Sequence, residues 1–168
     1  LFEAKTVNGE GKPAFSASFL MDPADPQVKA LNQAIEQVAK DKWGAKADAI
    51  LKQMRAQDKV ALHDGDLKAN YDGFPGNLYV SARATTRPLV IDKDKSPLTE
   101  QDGKPYAGCY VNASVELWAQ DNNYGKRINA SLRGVQFFKD GDAFAGGGAA
   151  SEDEFDDISA PAMADDLV

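Results

Sequence analysis

Apolar and polar residues alternate along two neighbouring segments between residues 108 and 139, which predicts a long antiparallel hairpin. A period of two residues is that of a strand with one buried face. The apolar positions are Cys109, Val111, Ala113, Val115 and Leu117 in the first segment, and Ile128, Ala130 and Leu132 in the second. Turn-forming residues at positions 121–125 separate the segments. We therefore expect a hairpin that contributes one face to a core, with Cys109 buried as a small hydrophobic residue.

The opposite face of this hairpin is predicted to be aromatic and basic. A turn centred on Asn122 and Asn123 keeps both apolar sets on one face. It pairs Trp118 with Arg127, Glu116 with Asn129 and Asn112 with Arg133. With Tyr110 on the same parity, such a face suits a flat, anionic partner. The alternatives are a solvated strand pair with chance aromatic residues, or aromatic residues that cap a barrel or pack under helices.

The segments before the hairpin predict a mainly β fold with an inserted helical segment. Strands are expected at residues 2–7, 14–21, 78–83 and 89–91. Asp25 as N-cap and Pro26 at the first helical position begin a helix, which places Trp43 on its apolar side. A second, shorter helix is expected at residues 46–57.

The strand at residues 78–83 repeats the composition of the hairpin. Its apolar positions alternate with Tyr79, Ser81 and Arg83, and Arg87 follows just before Pro88. Tyr79 and Arg83 are therefore expected on an exposed, aromatic and basic strand face.

The polar stretch at residues 58–76 contains His63 and the acidic residues Asp64, Asp66 and Asp72. These residue types are those of metal ligands and of acid–base catalysts. Their spacing matches no EF-hand loop, and the chain has no second histidine. We interpret the acids as turn formers, and we expect no metal site, no catalytic residues and no cofactor.

The charge of the chain is concentrated at its C-terminal end. The net charge is −7, and residues 146–168 hold seven of the 26 acidic residues and none of the 19 basic ones, so residues 1–145 are neutral overall. The acids and one hydrophobic neighbour form a candidate partner-binding tail: Glu152, Asp153, Glu154, Phe155, Asp156, Asp157, Asp165 and Asp166. We expect one folded domain at 1–145 and a flexible Gly-rich linker with a disordered acidic tail at 146–168.

Composition limits the class of protein. Hydrophobic residues make up 43% of the chain, and no apolar run is long enough to cross a bilayer. The single cysteine, Cys109, excludes an intrachain disulfide and fits a reducing cytoplasm. We expect no membrane association.

An aromatic and basic strand face has the chemistry needed to hold single-stranded nucleic acid without sequence preference. Aromatic side chains stack on bases, at about 1–3 kcal/mol per base, and cations contact the phosphates. A small strand-rich body with such a face is often an OB-type barrel. The candidate binding residues are Trp118, Arg127, Tyr110, Arg133, Tyr79, Arg83, Tyr106, Arg87, Lys104, Tyr124 and Lys126. No helix with a basic side and no zinc spacing indicates a duplex reader.

Four stretches also resemble a known family. They are residues 106–113 (YAGCYVNA), 121–122 (DN), 129–137 (NASLRGVQF) and 141–144 (GDAF), followed by a Gly-rich acidic end. They resemble the bacteriophage single-stranded DNA-binding proteins, a family long described as a domain of unknown function. These proteins are similar in turn to the acidic-tailed OB-fold replication proteins of other tailed phages.

The resemblance implies an OB-fold-like domain that coats single-stranded DNA during phage replication, recombination and repair in the host cytoplasm. It also implies a tail that contacts replication proteins such as a polymerase, helicase or recombinase. Two features depart from the family pattern. The tail ends in Leu167 and Val168 rather than in an aromatic residue, and the helices follow only two strands, which predicts an elaborated barrel.

Two other function classes compete with this prediction. The first is a metal-dependent nuclease that uses Asp64, Asp66 and Asp72. The second is a chaperone that binds basic proteins through the acidic tail, although that function would leave the face around Trp118 and Arg127 without a purpose.

Overall fold

The computed structural model describes residues 1–7, 10–144 and 158. Within these residues, seven strands and two helices follow one another as β1 (Lys5–Val7), β2 (Glu10–Met21), α1 (Pro26–Trp43), α2 (Ala47–Ala56), β3 (Leu62–Asp64), β4 (Leu78–Ala84), β5 (Leu89–Ile91), β6 (Tyr110–Asn122) and β7 (Gly125–Lys139). Short 3₁₀ turns occupy Gly44–Lys46, Gly65–Lys68 and Glu100–Asp102. The predicted mainly β fold with an inserted helical segment is confirmed.

Strand β7 lies at the centre of the sheet. The described strands are ordered β1-β2-β4-β7-β5, with β3 added to β4 and β6 added to β7. Strand β6 pairs with β7 along its whole length, whereas the other edge of β7 pairs in parallel first with β4, at Ala130, and then with β5, at Gly134. One long strand therefore joins the two halves of the sheet.

The hairpin forms as predicted, but the predicted register is wrong, by two residues in the distal half of the hairpin and by three at Asn112, nearer its base. Trp118 pairs with Asn129, Glu116 with Ser131 and Asn112 with Gln136. The ladder continues to Asn122 opposite Gly125, because the Asn122 side chain accepts a hydrogen bond from the Tyr124 backbone N–H (2.9 Å) and Gly125 takes a positive φ of 107°. The register shifts again near Ser114 and near Tyr110. A shift of two preserves parity, so Trp118 still lies on the outer face.

The helices cover the inner side of the hairpin's distal half. Asp25 caps α1 by accepting from the Gln27 backbone N–H at 2.9 Å. The buried side chains of this cluster are Ile35, Ala39, Ala47, Leu51, Met54, Val60 and Ile128. Trp43 packs against the cluster, as predicted, and its indole N–H also donates to Asp121 of β6 at 3.0 Å. This bond lowers the pKa of the Asp121 carboxyl and fixes the hairpin to the end of α1.

A second cluster lies between the strands. Its buried members are Ala61, Val80, Ala82, Ala130, Leu132 and Val135. Cys109 was predicted to be buried but is only half-buried, just before β6, where burial raises the pKa of its thiol. Because the inner face of the hairpin packs into the two hydrophobic clusters, its outer face is available to a ligand.

The predicted linker and acidic tail lie outside the described residues, apart from Ile158, which is exposed. None of the helices in the described part of the chain is long and apolar enough to cross a membrane.

Candidate nucleic-acid interface

A set of outward-facing residues of β4, β7 and β6 forms a surface that we call the strand face. It comprises Ser81 and Arg83 of β4, Arg127, Asn129, Ser131 and Arg133 of β7, and Asn112, Ser114, Glu116, Trp118 and Gln120 of β6. Ladder pairs place Arg83 beside Ser131, and Ser131 beside Glu116. Since neighbouring strands lie about 4.8 Å apart, this row spans about 10 Å.

Trp118 provides an aromatic surface on the strand face. Its side chain is 43% exposed and makes no hydrogen bond with a described residue. Beside it, the Asn129 amide donates to the Gln120 side chain at 2.9 Å, which orders the neighbouring polar groups without using the indole. The ring is therefore open to stack on a planar ligand.

Arg83 and Arg127 provide unpaired cations on the strand face. Arg83 is exposed and Arg127 is half-buried, and neither side chain makes a hydrogen bond or ion pair with any side chain that the structure describes. Arg83 lies opposite Ser16 and Ser131, and Arg127 lies opposite Gln120, so no carboxylate is their ladder neighbour. Both can take a phosphate without first losing an internal contact.

Arg133, in contrast, already has a partner. Its guanidinium donates to the Glu116 carboxylate at 2.9 Å, and the two side chains are 63% and 61% exposed. An exposed ion pair contributes only about 0.2–1 kcal/mol and is screened by salt. The contact is therefore weak enough to exchange for another anion.

Tyr79 was predicted on an exposed face, and this prediction is wrong. Its side chain is 4% exposed because β3 pairs with β4 at this level and His63 stacks on the ring at 4.8 Å. Phe74 packs edge-on at 5.1 Å, and burial raises the pKa of the Tyr79 hydroxyl. The short β3 does not extend beyond Val80 along β4, which leaves Arg83 exposed.

The base of the hairpin, away from Trp118 along the strands, holds three other predicted residues: Tyr106, Lys104 and Tyr110. The Tyr106 hydroxyl donates to Asp140 at 2.8 Å, which raises the pKa of that hydroxyl, and accepts from the Gly141 backbone N–H at 3.1 Å. Lys104 forms an ion pair with Asp92 at 3.0 Å and lies 4.9 Å from the centre of the Phe137 ring. The polar groups of Tyr106 and Lys104 therefore already have partners within the protein.

Tyr110 belongs to the same region. Its ring is exposed, but the ammonium of Lys139 lies 4.6 Å from the ring centre, and the two residues are ladder partners. We call Lys104, Tyr106, Tyr110 and Lys139 the base cluster. Lys139 was not predicted as a site residue, because the register shift that brings it beside Tyr110 cannot be read from the alternation pattern.

The remaining predicted residues are dispersed. Arg87 donates to the Phe2 carbonyl at 2.9 Å and lies 5.3 Å from the centre of the Phe15 ring. Tyr124, at the tip of the hairpin, is 87% exposed, and Lys126 lies 3.8 Å from Asp121. Of the eleven predicted residues, the structure brings four together on the strand face: Trp118, Arg83, Arg127 and Arg133.

Other exposed aromatic residues were not predicted as site residues. Phe138 is exposed in β7 after the register shift, and Tyr71 is exposed in the loop after β3. An exposed tyrosine in a polar loop gives no periodic signal, whereas the outward position of Phe138 depends on the bulge.

The acidic residues considered for a nuclease centre serve mainly as turn formers. Asp64 accepts from the Asp66 backbone N–H, and Asp66 accepts from the Gly76 backbone N–H, both at 2.9 Å. Within the described ranges, no group of three or more His, Cys, Asp or Glu side chains is placed to share a metal ion.

The amino-acid sequence of this chain is similar to those of known phage proteins. A family model described as the ssDNA-binding protein of Enterobacter phage Enc34 matches residues 1–168. Protein p50 of Acyrthosiphon pisum secondary endosymbiont phage 1 is 51% identical over 162 residues, which cover 95% of this chain and 87% of that protein.

Solved structures agree with the family match. The single-stranded DNA-binding protein from bacteriophage Enc34 in complex with ssDNA superposes with a TM-score of 0.69 at 28% identity, covering 83% of this chain and 79% of that chain. The single-stranded DNA-binding protein gp2.5 of bacteriophage T7 superposes with a TM-score of 0.52 at 11% identity, covering 85% and 80%. The second likeness shows a shared fold.

Proposed function

The chain belongs to the family of the ssDNA-binding protein of Enterobacter phage Enc34, and we propose that it binds single-stranded DNA on the strand face. The observation that carries this placement is the open ring of Trp118 together with two arginines, Arg83 and Arg127, that have no partner among the described residues. Bases stack on the indole, and phosphates contact the guanidinium groups.

The proposed contacts are tolerant of sequence. Every base presents a π-face to Trp118, and phosphates carry no sequence information. A duplex hides its base faces in the helical stack, so we expect it to bind much more weakly than a single strand.

We also propose that the sheet is an OB-type barrel. The long strand β7 supports this proposal, because one of its edges pairs first with β4 and then with β5 while β6 pairs along the opposite edge, so both halves of the sheet share β7. The helices α1 and α2 fill the inner side of the distal hairpin, as the elaboration of such a barrel would.

The cellular role that we propose is coating of single-stranded DNA in phage replication, recombination and repair, in the host cytoplasm and without catalysis by this chain. The acidic tail at 146–168 would recruit replication proteins such as a polymerase, helicase or recombinase. Because it carries −7 and is covalently tethered, its effective concentration beside the strand face can reach about millimolar, and it would compete with DNA.

The competition can be measured directly. Removal of residues 146–168 should tighten binding of a fluorescent oligonucleotide, with the largest gain at low salt, because screening weakens the electrostatic hold of the tail. Equal anisotropy curves for the full chain and the truncated chain at low salt would contradict the competitive role.

The placement of DNA on Trp118 is tested with variants that each leave one tryptophan. Trp43→Phe leaves Trp118 as the fluorescent reporter, and homopolymeric single strands should quench it strongly. Trp118→Phe leaves Trp43, which is tied to Asp121 on the inner side of the hairpin, and should respond little. Trp118→Ala should cost about 1–3 kcal/mol of binding free energy without a loss of folded structure.

Two results would count against the proposal. Unchanged affinity in Trp118→Ala would place the DNA elsewhere, and shortening of labelled strands in the presence of Mg²⁺ or Mn²⁺ would indicate a nuclease.

A further inference from the structure

Glu116 is the one negatively charged residue among those that define the strand face. It is two positions from Trp118 along β6, opposite Ser131, in the row that leads to Arg83. A strand that stacks a base on Trp118 and places a phosphate on Arg83 must therefore pass close to a carboxylate. A carboxylate there repels phosphate, so its presence calls for a physical explanation.

The ion pair that Glu116 forms on the strand face explains how a carboxylate can lie at this position. Its carboxylate accepts from Arg133 at 2.9 Å, although Ser131 and not Arg133 is its ladder partner. The diagonal contact arises where the register shifts: Ser114 pairs with Gly134 and Val115 with Leu132, which leaves Arg133 without a ladder partner. Both side chains are about 60% exposed, so the contact contributes little to folding and is accessible to a competing anion.

We propose that Glu116 sets the affinity for single-stranded DNA, by holding Arg133 in the free protein and giving it up to a DNA phosphate on binding. This inference rests on the proposed function, because it assumes that DNA lies on the strand face. In the free protein the pair neutralises one of the three arginines of the face. In the complex the phosphate replaces the carboxylate, and the freed Glu116 lowers the affinity by repulsion, which favours release of the strand.

The variant that tests the proposal is Glu116→Gln, which removes the charge and keeps the shape of the side chain. We expect binding of a homopolymeric single strand to tighten by about two- to fivefold at low salt, since the lost pair is an exposed one. The gain should shrink as salt increases. Glu36→Gln is the matched control, because it removes the same charge from an exposed position on α1 and should leave the affinity within about 1.5-fold of the parent.

A double-mutant cycle shows whether the effect passes through Arg133. Arg133→Gln should weaken binding and lower the logarithmic salt slope by about 0.7, the value for one phosphate contact on a single strand. In the Arg133→Gln background, Glu116→Gln should then gain less than in the parent, because only the repulsion between Glu116 and the DNA phosphates is left to remove.

Three outcomes would overturn the proposal. They are no tightening in Glu116→Gln, an equal gain with and without Arg133, and an unchanged salt slope in Arg133→Gln. A failure of this kind is separable from a failure of the proposed function, because Trp118→Ala would still weaken binding if DNA lies on the strand face. If Trp118→Ala and both Glu116 and Arg133 variants bind like the parent, the strand face itself is excluded.

Discussion

The strand face and the base cluster both hold aromatic and basic residues but differ in what their side chains already contact. The strand face has Trp118 and three arginines, and the base cluster has two tyrosines and two lysines. On the strand face, Arg83 and Arg127 have no partner among the described residues, whereas in the base cluster Lys104 is paired with Asp92 and Tyr106 with Asp140. A cation that is already paired must lose that contact before it binds a phosphate. In our proposal, the availability of its cations, and not its residue types, therefore distinguishes a binding surface from a structural one.

The chain path explains why the base cluster is internally satisfied. After β7, residues 140–144 return across the start of β6, where the Phe144 backbone N–H donates to the Ala107 carbonyl at 2.9 Å. Gly108 makes this crossing possible: a Cβ atom there would collide with the Asp142 carbonyl oxygen, and its φ of 103° also favours glycine. The base cluster therefore closes the end of the domain.

We expect the largest change in stability from Gly108→Ala, because it disrupts this closure. Gly108→Ala combines backbone strain of about 1–3 kcal/mol with a collision, and should lower Tm by roughly 5–10 °C in a thermal melt. At temperatures well below Tm, affinity for single-stranded DNA should stay within about twofold of the parent, because by our proposal DNA binds on the strand face.

Gly103→Ala is the control for this variant. Gly103 also has a positive φ, of 71°, but nothing lies within 4 Å of the added Cβ atom, so the loss of stability should be clearly smaller. A Gly108→Ala protein that melts like the parent would show that the crossing is not a structural closure. One that stays folded but loses DNA binding would move the binding surface towards the base cluster.

The sequence predicts the faces of the hairpin more reliably than its pairing. Alternation alone places Trp118 outward, because a register error of two residues preserves parity. The same alternation places Tyr79 outward but cannot show that β3, three residues long and in a polar stretch, covers it with His63. Tertiary contacts of this kind decide exposure, and they leave no periodic signal.

The alternation of apolar and polar residues also does not predict which charged side chains of the hairpin form ion pairs. The basic character of the outer face follows from residue type, but the contact of Arg133 with Glu116 depends on a bulge that only the folded ladder reveals. Conversely, the prediction that Asp25 caps α1 and that Trp43 lies on its apolar side rests on local signals, a cap and a helical period, and it is confirmed. Local signals therefore predict elements well, and contacts between elements poorly.

Two double variants of equal net charge compare the strand face with the base cluster. Arg83→Gln with Arg127→Gln removes two cations from the strand face, and Lys104→Gln with Lys139→Gln removes two from the base cluster. The first double variant should lower the slope of log affinity against log salt by about 1.4, as expected for two phosphate contacts on a single strand. The second should leave the slope nearly unchanged, because Lys104 and Lys139 are occupied by Asp92, Phe137 and Tyr110.

Anisotropy titrations of one fluorescent oligonucleotide at several salt concentrations measure both slopes, and thermal melts confirm that each double variant is folded. Since the two proteins have the same net charge, a general electrostatic attraction would change both slopes equally. Equal slopes would therefore reject the distinction between the two surfaces. A larger change in the Lys104 and Lys139 variant would place the phosphate chain at the base of the hairpin, where it would have to displace Asp92 from Lys104.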